Sequence, residues 1–256
     1  MDLACSLLLV ALLLTLLAYH AVRGRAHARV ELEGKSALLG NSLMQALYGA
    51  IVPLARACAR AGLGASAVTA CSVLLAGGAA LAFAVGHLGL AALLAVAALA
   101  CDAVDGWIAR ATGTASTAGE VLDAAADRYV ELLLFGGLVV YLRSSVFALI
   151  CALAGLGGSF MVSYSTAKAE ALGISPPRGS MRRTDRAFVL IAGAALTPIA
   201  AALSLPQDLP LLLALGLLAV ASNGSALARV AFVASALRAR EGPAHATISP
   251  ASEPRP

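Results

Sequence analysis

The chain has 256 residues, of which 60% are hydrophobic and 12% are charged. A soluble domain carries about 25% charged residues, and one soluble core could not take up this much apolar surface. Apolar stretches of roughly 20 residues, the length needed to cross a bilayer, recur along the sequence. The composition therefore excludes a soluble globular protein and predicts an all-α, polytopic helical membrane protein.

The formal net charge is +4, and the basic residues are clustered between the apolar stretches. A nucleic-acid-binding protein needs a continuous solvated basic face, which this arrangement does not provide. Short cytoplasmic loops retain Lys and Arg, so the clusters predict the cytoplasmic ends of helices. They comprise Arg23 to Lys35, Arg56 and Arg60, Arg110, Lys168 to Arg186, and Arg229 to Arg240.

Residues 2–19 are apolar and are followed, not preceded, by positive charges. A secretory signal has the opposite charge order, so this segment is predicted to be a retained transmembrane helix. Cleavage at the Ala-x-Ala-like string of residues 26–28 is the alternative. The charge order places the N-terminus outside and residues 20–40 in the cytoplasm. Residues 1–40 are thus predicted to be an extra helix with a cytoplasmic linker.

Residues 41–61 mix apolar positions with two arginines, which is typical of an amphipathic helix in the membrane interface. Residues 172–185 are predicted to be a cytoplasmic loop, and residues 241–256, rich in Pro and Ala, a disordered tail. Residues 41–240 then form one membrane domain with its C-terminus inside. Alternation of its spans leaves Arg143 as the basic residue outside. The six core spans are predicted at about 64–86, 89–111, 118–142, 145–171, 186–205 and 209–238.

The cysteines lie singly in apolar sequence without C-x-x-C spacing, which indicates small buried side chains. This arrangement predicts neither a disulfide framework nor a zinc site. The five are Cys5, Cys58, Cys71, Cys101 and Cys151.

Four aspartates are concentrated where the second and third core spans meet. Asp102 and Asp105 are three residues apart, and Asp123 and Asp127 are four apart, so each pair shares one helix face. A short cytoplasmic turn connects the helices, so the hairpin can bring the four carboxylates together. Acidic groups in membrane helices are costly and are functional by default. Because hard oxygen ligands select Mg²⁺ or Mn²⁺, which also bind diphosphates, the four acids predict a metal site.

Other residues of the hairpin fit a diphosphate ligand. Gly106 and Gly119 carry no Cβ and would allow close approach of backbone or ligand. Arg110 could contact a diphosphate oxygen or pair with a carboxylate. The structural alternative is that the aspartates are helix-end charges paired with Arg110 and Arg128, but two ion pairs would not need four acids.

From Asp102 the sequence reads DAVDGWIARATGTASTAGEVLDAAAD and fits D-x2-D-G-x2-A-R-x8-G-x3-D-x3-D at every fixed position. This resembles the signature of the CDP-alcohol phosphotransferase, or CDP-alcohol phosphatidyltransferase, family. The resemblance implies a six-helix membrane homodimer with a polar cavity that faces the cytoplasm. It implies transfer of a phospho-alcohol group from a CDP-linked donor to an acceptor hydroxyl, with release of CMP.

Residue roles follow from the same resemblance. Asp127 would be the general base that takes the acceptor's proton, and it would also lie close to metal. The metal ligands, for two ions, would be Asp102, Asp105, Asp123 and Asp127. The CDP-donor pocket would contain Asp105, Gly106, Ala109, Arg110 and Gly119.

A looser match lies before the first core span. Gly64 to Thr69 resembles the family's T-P-N-x-x-T entry, although Ala65 replaces Pro and Ser66 replaces Asn. The resemblance implies a role for Thr69 on the donor side. Ser66 is alternatively a helix cap.

Two segments bear on the acceptor. Ser163 to Glu170, SYSTAKAE, resembles the S-Y-x-K-A-R-A-E of phosphatidylinositol phosphate synthase-like members, and Met181 to Arg186, MRRTDR, resembles their M-E-R-x-E-R. Thr166 replaces a basic residue and Arg182 an acidic one. The alternative is that these arginines face lipid headgroups. The resemblance implies a basic pocket for an acceptor phosphate, formed by Lys168, Arg183 and Arg186.

The favoured acceptor is inositol phosphate, followed by glycerol 3-phosphate and then by serine or free inositol. CDP-diacylglycerol is the favoured donor because a membrane cavity suits a lipid tail, with a soluble CDP-linked donor as the alternative. A prenyltransferase would need a second, distant Asp-rich motif, and a transporter would place its acids near the midplane. We therefore predict a phospholipid-biosynthetic enzyme of a bacterial inner membrane, with its site facing the cytoplasm.

Overall fold

The structure is a computed structural model that describes residues 1–23, 39–175 and 181–241. Within these ranges every regular element is a helix, so the all-α prediction is confirmed. Residues 24–38 of the predicted cytoplasmic segment, with the alternative cleavage site, lie outside the described residues, as do residues 176–180 of the predicted loop and the predicted tail from 242. The helices are α1 (Asp2–Arg23), α2 (Gly40–Arg60), α3 (Ala65–Ala84), α4 (Leu88–Ala111), α5 (Thr117–Tyr141), α6 (Val146–Ala171), α7 (Arg183–Ala202) and α8 (Leu209–Glu241).

Six of the described helices, α1, α3, α4, α6, α7 and α8, are long and apolar enough to cross a membrane. The remaining predicted span is α5, whose 25 residues lie within the range of 20 to 33 residues of the other core spans. Its second half belongs to the apolar core, whereas its first half carries charged side chains that lower its hydropathy. The chain is thus an integral membrane protein with the predicted helical bundle. The charged residues of α5 are Glu120, Asp123, Asp127, Arg128 and Glu131.

The bundle consists of two helix triplets. Helix α3 packs between α4 and α5, and α8 packs between α6 and α7, while α4–α7 and α5–α6 contacts join the triplets. Small residues allow this close packing, as is usual between membrane helices. A Cβ on Gly137 would lie 2.3 Å from the Ala80 carbonyl oxygen, and a Cβ on Gly193 would lie 2.4 Å from Ala214 Cβ. Both positions therefore require glycine for the observed helix spacing.

Helix α2 is the amphipathic helix predicted at 41–61. Its residue Ala55 packs with Val68, Val104 and Ile108 of α3 and α4. Met44, near the start of α2, packs with Phe188 of α7. Helix α2 thus lies across the end of the bundle at which α4 ends and α7 begins.

Helix α1 is anchored at the opposite end. Asp2 Oδ1 accepts a hydrogen bond from Leu90 N at 3.2 Å, and Asp2 Oδ2 lies 2.9 Å from His87 Nδ1. A Cβ on Gly89 would come within 2.2 Å of the Asp2 carbonyl oxygen, so the glycine makes room for the start of α1. Most of α1 remains exposed, and its contacts are with α4, α2 and α7.

The cysteines differ in part from the prediction. All five carry free thiols, and Cys151 is buried as expected, but Cys71 is exposed. Cys71 lies on the outside of α3, where an apolar membrane environment accepts a small thiol as readily as a core does.

Candidate metal centre and active site

A tight turn connects α4 to α5. Gly113 adopts φ +69°, a left-handed conformation that suits glycine. Ser116 Oγ accepts a hydrogen bond from Gly119 N at 3.1 Å and caps α5. A Cβ on Gly119 would lie 3.2 Å from that oxygen, so the predicted donor-pocket glycine also accommodates the cap. The carbonyl of Ala109, another predicted donor residue, accepts from the backbone of Thr114 and closes the turn.

The hairpin brings three predicted metal ligands together. Asp102 of α4 and Asp123 and Asp127 of α5 each offer one carboxylate oxygen, and the three oxygens lie within 4.8 Å of one another. We call these residues the carboxylate cluster. Oxygen-only ligands at this spacing fit Mg²⁺ or Mn²⁺, and like charges this close need a cation for balance.

Asp105, the fourth predicted ligand, is not part of the carboxylate cluster. Its buried side chain turns towards α3, where Asp105 Oδ2 accepts a hydrogen bond from Thr69 Oγ1 at 2.6 Å. A spacing of three residues leaves a rotation of about 60° between two helix positions, so Asp102 faces α5 while Asp105 faces α3. Thr69, predicted on the donor side, is thus the partner of a predicted ligand.

Arg183 is the cation that faces the carboxylate cluster. Its Nη1 lies 2.7 Å from Asp102 Oδ2 and its Nη2 lies 2.6 Å from Asp127 Oδ1. The second contact is not aligned as a hydrogen bond, so among the described residues the buried Asp127 Oδ1 is held by charge alone. Among the described residues, one guanidinium is therefore in direct contact with the cluster of three carboxylates, and the cluster keeps an excess of negative charge. Arg183, which was predicted to bind acceptor phosphate, is paired here with two predicted metal ligands.

Arg110 is exposed at the end of α4. A Cβ on Gly106 would lie 3.2 Å from Arg110 Nη1, so the missing side chain of Gly106 leaves space for the guanidinium. Arg110 and Arg183 are both close enough to attract Asp123 electrostatically. In the part of the chain that the structure describes, the salt bridges of the four aspartates go to Arg183 and none goes to Arg110 or Arg128. The structural alternative paired the aspartates with Arg110 and Arg128, whereas the described partner is Arg183.

A second charged group, which the sequence reasoning missed, lies one turn further along α5. Buried Glu131 accepts hydrogen bonds from Arg128 Nη1, from Ser159 Oγ at 2.5 Å and from Arg186 Nη2 at 2.9 Å. Arg128 Nη1 also donates to Ser163 Oγ at 2.6 Å. We call these five residues the Glu131 network. Its signal was present in the sequence, because Glu131 follows Asp127 by four residues and an acid within a membrane helix needs a partner.

Arg186, which was predicted in the acceptor pocket, belongs to the Glu131 network. Its Nη1 donates to the carbonyl oxygen of Met181 at 2.8 Å, which helps to hold Met181 at φ +62° just before α7. Asp185 caps the same helix by accepting from Arg182 N at 3.1 Å. Arg186 Nε is buried and has no hydrogen-bond partner among the described residues.

Arg229 of α8 is a further residue that sequence reasoning missed. Its Nη1 donates to Thr166 Oγ1 at 2.5 Å, and its Nε is buried without a hydrogen-bond partner in the described ranges. The positive charges of Arg186 and Arg182 lie close enough to oppose that of Arg229. We call these three residues the arginine cluster. Lys168, predicted in the same pocket, is exposed on α6.

Residues 63–222 match the family model for CDP-alcohol phosphatidyltransferase. Phosphatidylinositol phosphate synthase of Mycolicibacterium smegmatis is 33% identical over 208 residues, which cover 79% of this chain and 92% of that protein. The crystal structure of Mycobacterium tuberculosis phosphatidylinositol phosphate synthase with CDP-DAG bound matches with a TM-score of 0.63 and 30% identity, over 72% of this chain and 92% of that one. The same protein in complex with manganese and citrate gives a TM-score of 0.64 and 29% identity, over 72% and 89% of the two chains.

The matched region begins just before α3 and ends within α8, so it contains the carboxylate cluster, the Glu131 network and most of the core helices. The resemblance predicted from the aspartate motif is therefore confirmed. The chain belongs to the CDP-alcohol phosphatidyltransferase family and is an integral membrane enzyme that transfers phosphate-containing groups and uses divalent metal.

Proposed function

We propose that the enzyme transfers a phosphatidyl group from CDP-diacylglycerol to inositol phosphate and releases CMP. One observation carries the proposal: beside the acidic carboxylate cluster, two buried guanidinium nitrogens have no hydrogen-bond partner among the described residues. They are Arg186 Nε and Arg229 Nε, and the positive charges of these two arginines oppose each other. The relative from M. smegmatis is named phosphatidylinositol phosphate synthase, and the M. tuberculosis structure holds CDP-DAG, which supports both substrates.

The carboxylate cluster would hold the metal, with Asp105 as a further ligand if it leaves Thr69. A divalent metal bound there would neutralise the donor's diphosphate and stabilise the departing CMP. We propose Mg²⁺ or Mn²⁺, and two ions, because four carboxylates with a single paired arginine can balance more than one divalent charge. The manganese complex of the M. tuberculosis protein supports this choice of ion.

The donor's nucleotide and diphosphate are proposed to lie against the turn between α4 and α5. Arg110 is exposed there and attracts the same carboxylate region that a metal would occupy. Thr69 and Asp105 form the α3 side of this pocket. The other members of the proposed donor pocket are Gly106, Ala109 and Gly119.

Asp127 is proposed to be the general base. Its Oδ1 is buried beside Arg183 and lacks an aligned hydrogen bond among the described residues, so it can accept a proton from the acceptor hydroxyl. The deprotonated oxygen would form a bond to the β-phosphorus of the donor as the bond to CMP breaks. Arg183 contacts both Asp102 and Asp127 and thereby holds the base next to a metal ligand.

The arginine cluster is proposed to bind the acceptor phosphate. Buried polar groups nearly always have partners, yet Arg186 Nε and Arg229 Nε have none in the described chain. A phosphate offers acceptor oxygens for these two nitrogens and a negative charge for the guanidiniums that carry them. Inositol phosphate and, second, glycerol 3-phosphate satisfy this requirement, whereas serine and free inositol carry no phosphate. Arg183 and the exposed Lys168 of α6 are proposed as further contributors to this site.

We propose a bacterial inner membrane, with the site facing the cytoplasm, the N-terminus outside and the C-terminus inside. The distribution of charge supports this orientation, because the site end carries Arg60, Arg110 and the arginines of α7, whereas the opposite end carries Arg143. The homodimer implied by the family resemblance is part of the same proposal.

The test is CMP release by the purified protein in nanodiscs, with CDP-diacylglycerol, Mn²⁺ and four acceptors in parallel reactions. The acceptors are inositol phosphate, glycerol 3-phosphate, serine and inositol, and the lipid product is identified by mass. We expect turnover with inositol phosphate and loss of turnover when EDTA removes the metal. Turnover with serine or inositol alone would contradict the phosphate-binding role of the arginine cluster, and no CMP with any acceptor would contradict the proposed reaction.

A further inference from the structure

We propose that Glu131 is a positioning residue that holds Arg128 and Arg186 away from the carboxylate cluster and so keeps the metal site available to metal. This inference rests on the proposed function only in taking the carboxylate cluster as the metal site. It assigns a task to a residue that neither the aspartate motif nor the acceptor motifs contain.

The geometry places the two charged groups on successive turns of the same helices. Asp127 and Glu131 are four residues apart on α5, and their partners Arg183 and Arg186 are three residues apart on α7. Helix α5 is therefore joined to α7 by two ion pairs about one helical turn apart. The second of these pairs also reaches α6, through Ser159.

The carboxylate cluster and the Glu131 network, which lie about one helical turn apart, carry opposite excess charge. At the level of the carboxylate cluster, the described residues place one guanidinium in direct contact with a group of three carboxylates. At the level of the Glu131 network, one carboxylate faces the two guanidiniums of Arg128 and Arg186. Opposite charges this close attract strongly inside a protein, where screening by water is weak. Without a local anchor, these two guanidiniums would be drawn towards the aspartates.

Glu131 is that anchor. Both of its carboxylate oxygens are used, since Oε2 accepts from Arg128 and Oε1 accepts from Arg186 and Ser159. Ser163 Oγ accepts from Arg128 at the same time. The two arginines are thereby ion-paired one turn away from the aspartates, and among the described residues Arg183 remains the cation in direct contact with the carboxylate cluster. Loss of the Glu131 charge would release guanidiniums that can compete with metal for the same oxygens.

The experiment measures Mn²⁺ binding directly, by the electron paramagnetic resonance signal of free Mn²⁺, with full-length protein in nanodiscs and no donor or acceptor. Glu131→Gln keeps the shape of the side chain and removes its charge, and we expect it to weaken Mn²⁺ binding by about tenfold, the lower end for groups that position metal ligands. Glu131→Asp keeps the charge and should bind Mn²⁺ more nearly as the unmodified protein does.

A second variant separates competition by arginine from general loosening of the bundle. Arg128→Gln combined with Glu131→Gln removes one of the released cations, and it should recover part of the Mn²⁺ affinity that Glu131→Gln loses. Asp208→Asn is the matched control, because Asp208 accepts a hydrogen bond from Tyr141 at the far end of α5, at 2.7 Å. We expect this control to lower thermal stability without changing Mn²⁺ binding.

The outcomes are distinct. Unchanged Mn²⁺ affinity in Glu131→Gln would overturn the inference. Equal losses of affinity in Glu131→Gln and Asp208→Asn, in step with their melting temperatures, would show a purely structural role and would also overturn it. If Glu131→Gln does not fold, the double variant and Glu131→Asp decide by the same comparison. Because no substrate is present, a wrong assignment of the acceptor would leave these results unaffected.

Discussion

The two ends of the bundle use charged side chains in different ways. At the end where α1 begins, each acid has a matched partner: Asp2 pairs with His87 and with the amide of Leu90, and Asp208 accepts from Tyr141. At the other end, three acids of the carboxylate cluster lie close together beside Arg183, and Arg186 Nε and Arg229 Nε are buried without a hydrogen-bond partner among the described residues. Acids alone therefore do not mark the functional site, because both ends contain them. Crowded like charges and buried nitrogens without a protein partner mark it, since both need a ligand.

The largest effect on turnover is expected at Asp127, the proposed general base in the carboxylate cluster. Asp127→Asn should lower turnover by about a thousandfold, because the amide cannot take the proton of the acceptor hydroxyl. CMP release measures the turnover, and binding of CDP-diacylglycerol in the absence of acceptor is the control, which should change little. Activity close to that of the unmodified enzyme would remove Asp127 from the role of base.

The next largest effect is expected in the arginine cluster, on the KM for the acceptor. Arg229→Gln keeps a donor for Thr166 but loses the charge, and it should raise the acceptor KM by about tenfold or more while the donor KM changes little. Steady-state CMP release at varied inositol phosphate and varied CDP-diacylglycerol gives both constants. Lys168→Ala, at an exposed cation on α6, is the control and should have a smaller effect. Equal rises in both KM values for Arg229→Gln would place Arg229 outside the acceptor site.

A smaller effect is expected for Thr69→Val, which removes the hydroxyl that bonds Asp105. The buried carboxylate would lose a hydrogen bond, and the donor KM should rise by about five- to tenfold. Thr197→Val is a matched control, because the Thr197 hydroxyl donates only to a carbonyl of its own helix, Gly193 O at 2.8 Å. If both variants behave alike in donor titrations of CMP release, Thr69 has no donor-side role.

The smallest effect on activity is expected at the end of the bundle where α1 begins and where Tyr141 contacts Asp208. Tyr141→Phe removes the hydrogen bond to Asp208 and should lower the free energy of unfolding by about 1 kcal/mol. Thermal unfolding in nanodiscs measures the stability, and CMP release well below the melting temperature should be unchanged. A selective loss of turnover in the folded variant would mean that this end also contributes to function.

The helices and the hairpin could be predicted because their signals are local. Apolar length determined the spans, and α7, which begins and ends three residues before its prediction (183 and 202 against 186 and 205), shows the usual error at helix ends. The spacing of Asp102, Asp123 and Asp127 was enough to predict that they meet. The contact of Asp105 could not be predicted in this way. Its side chain turns towards Thr69 of another helix, and the spacing of residues within α4 does not reveal that contact.

The arginines could be found in the sequence, but their partners could not. Arg183 and Arg186 are three residues apart, and which acids they meet depends on how α7 is rotated against α5. Arg229 is joined to Thr166 across 63 positions of the chain, so only the folded bundle brings the arginine cluster together. Glu131 was the local signal that went unused, since its distance from Asp127 already predicted a second charged contact on the same face.

The anchorage of α1 has a consequence for how the protein is made. Asp2 contacts residues of the turn between α3 and α4, and the notch that receives its backbone is at Gly89. Helix α1 precedes this turn in the chain, so it enters the membrane before its docking site has been synthesised. We therefore expect α1 to remain an undocked helix in the bilayer until the α3–α4 hairpin has inserted. Substitution of Gly89 by alanine would obstruct that late docking step and leave the preceding insertion of α1 intact.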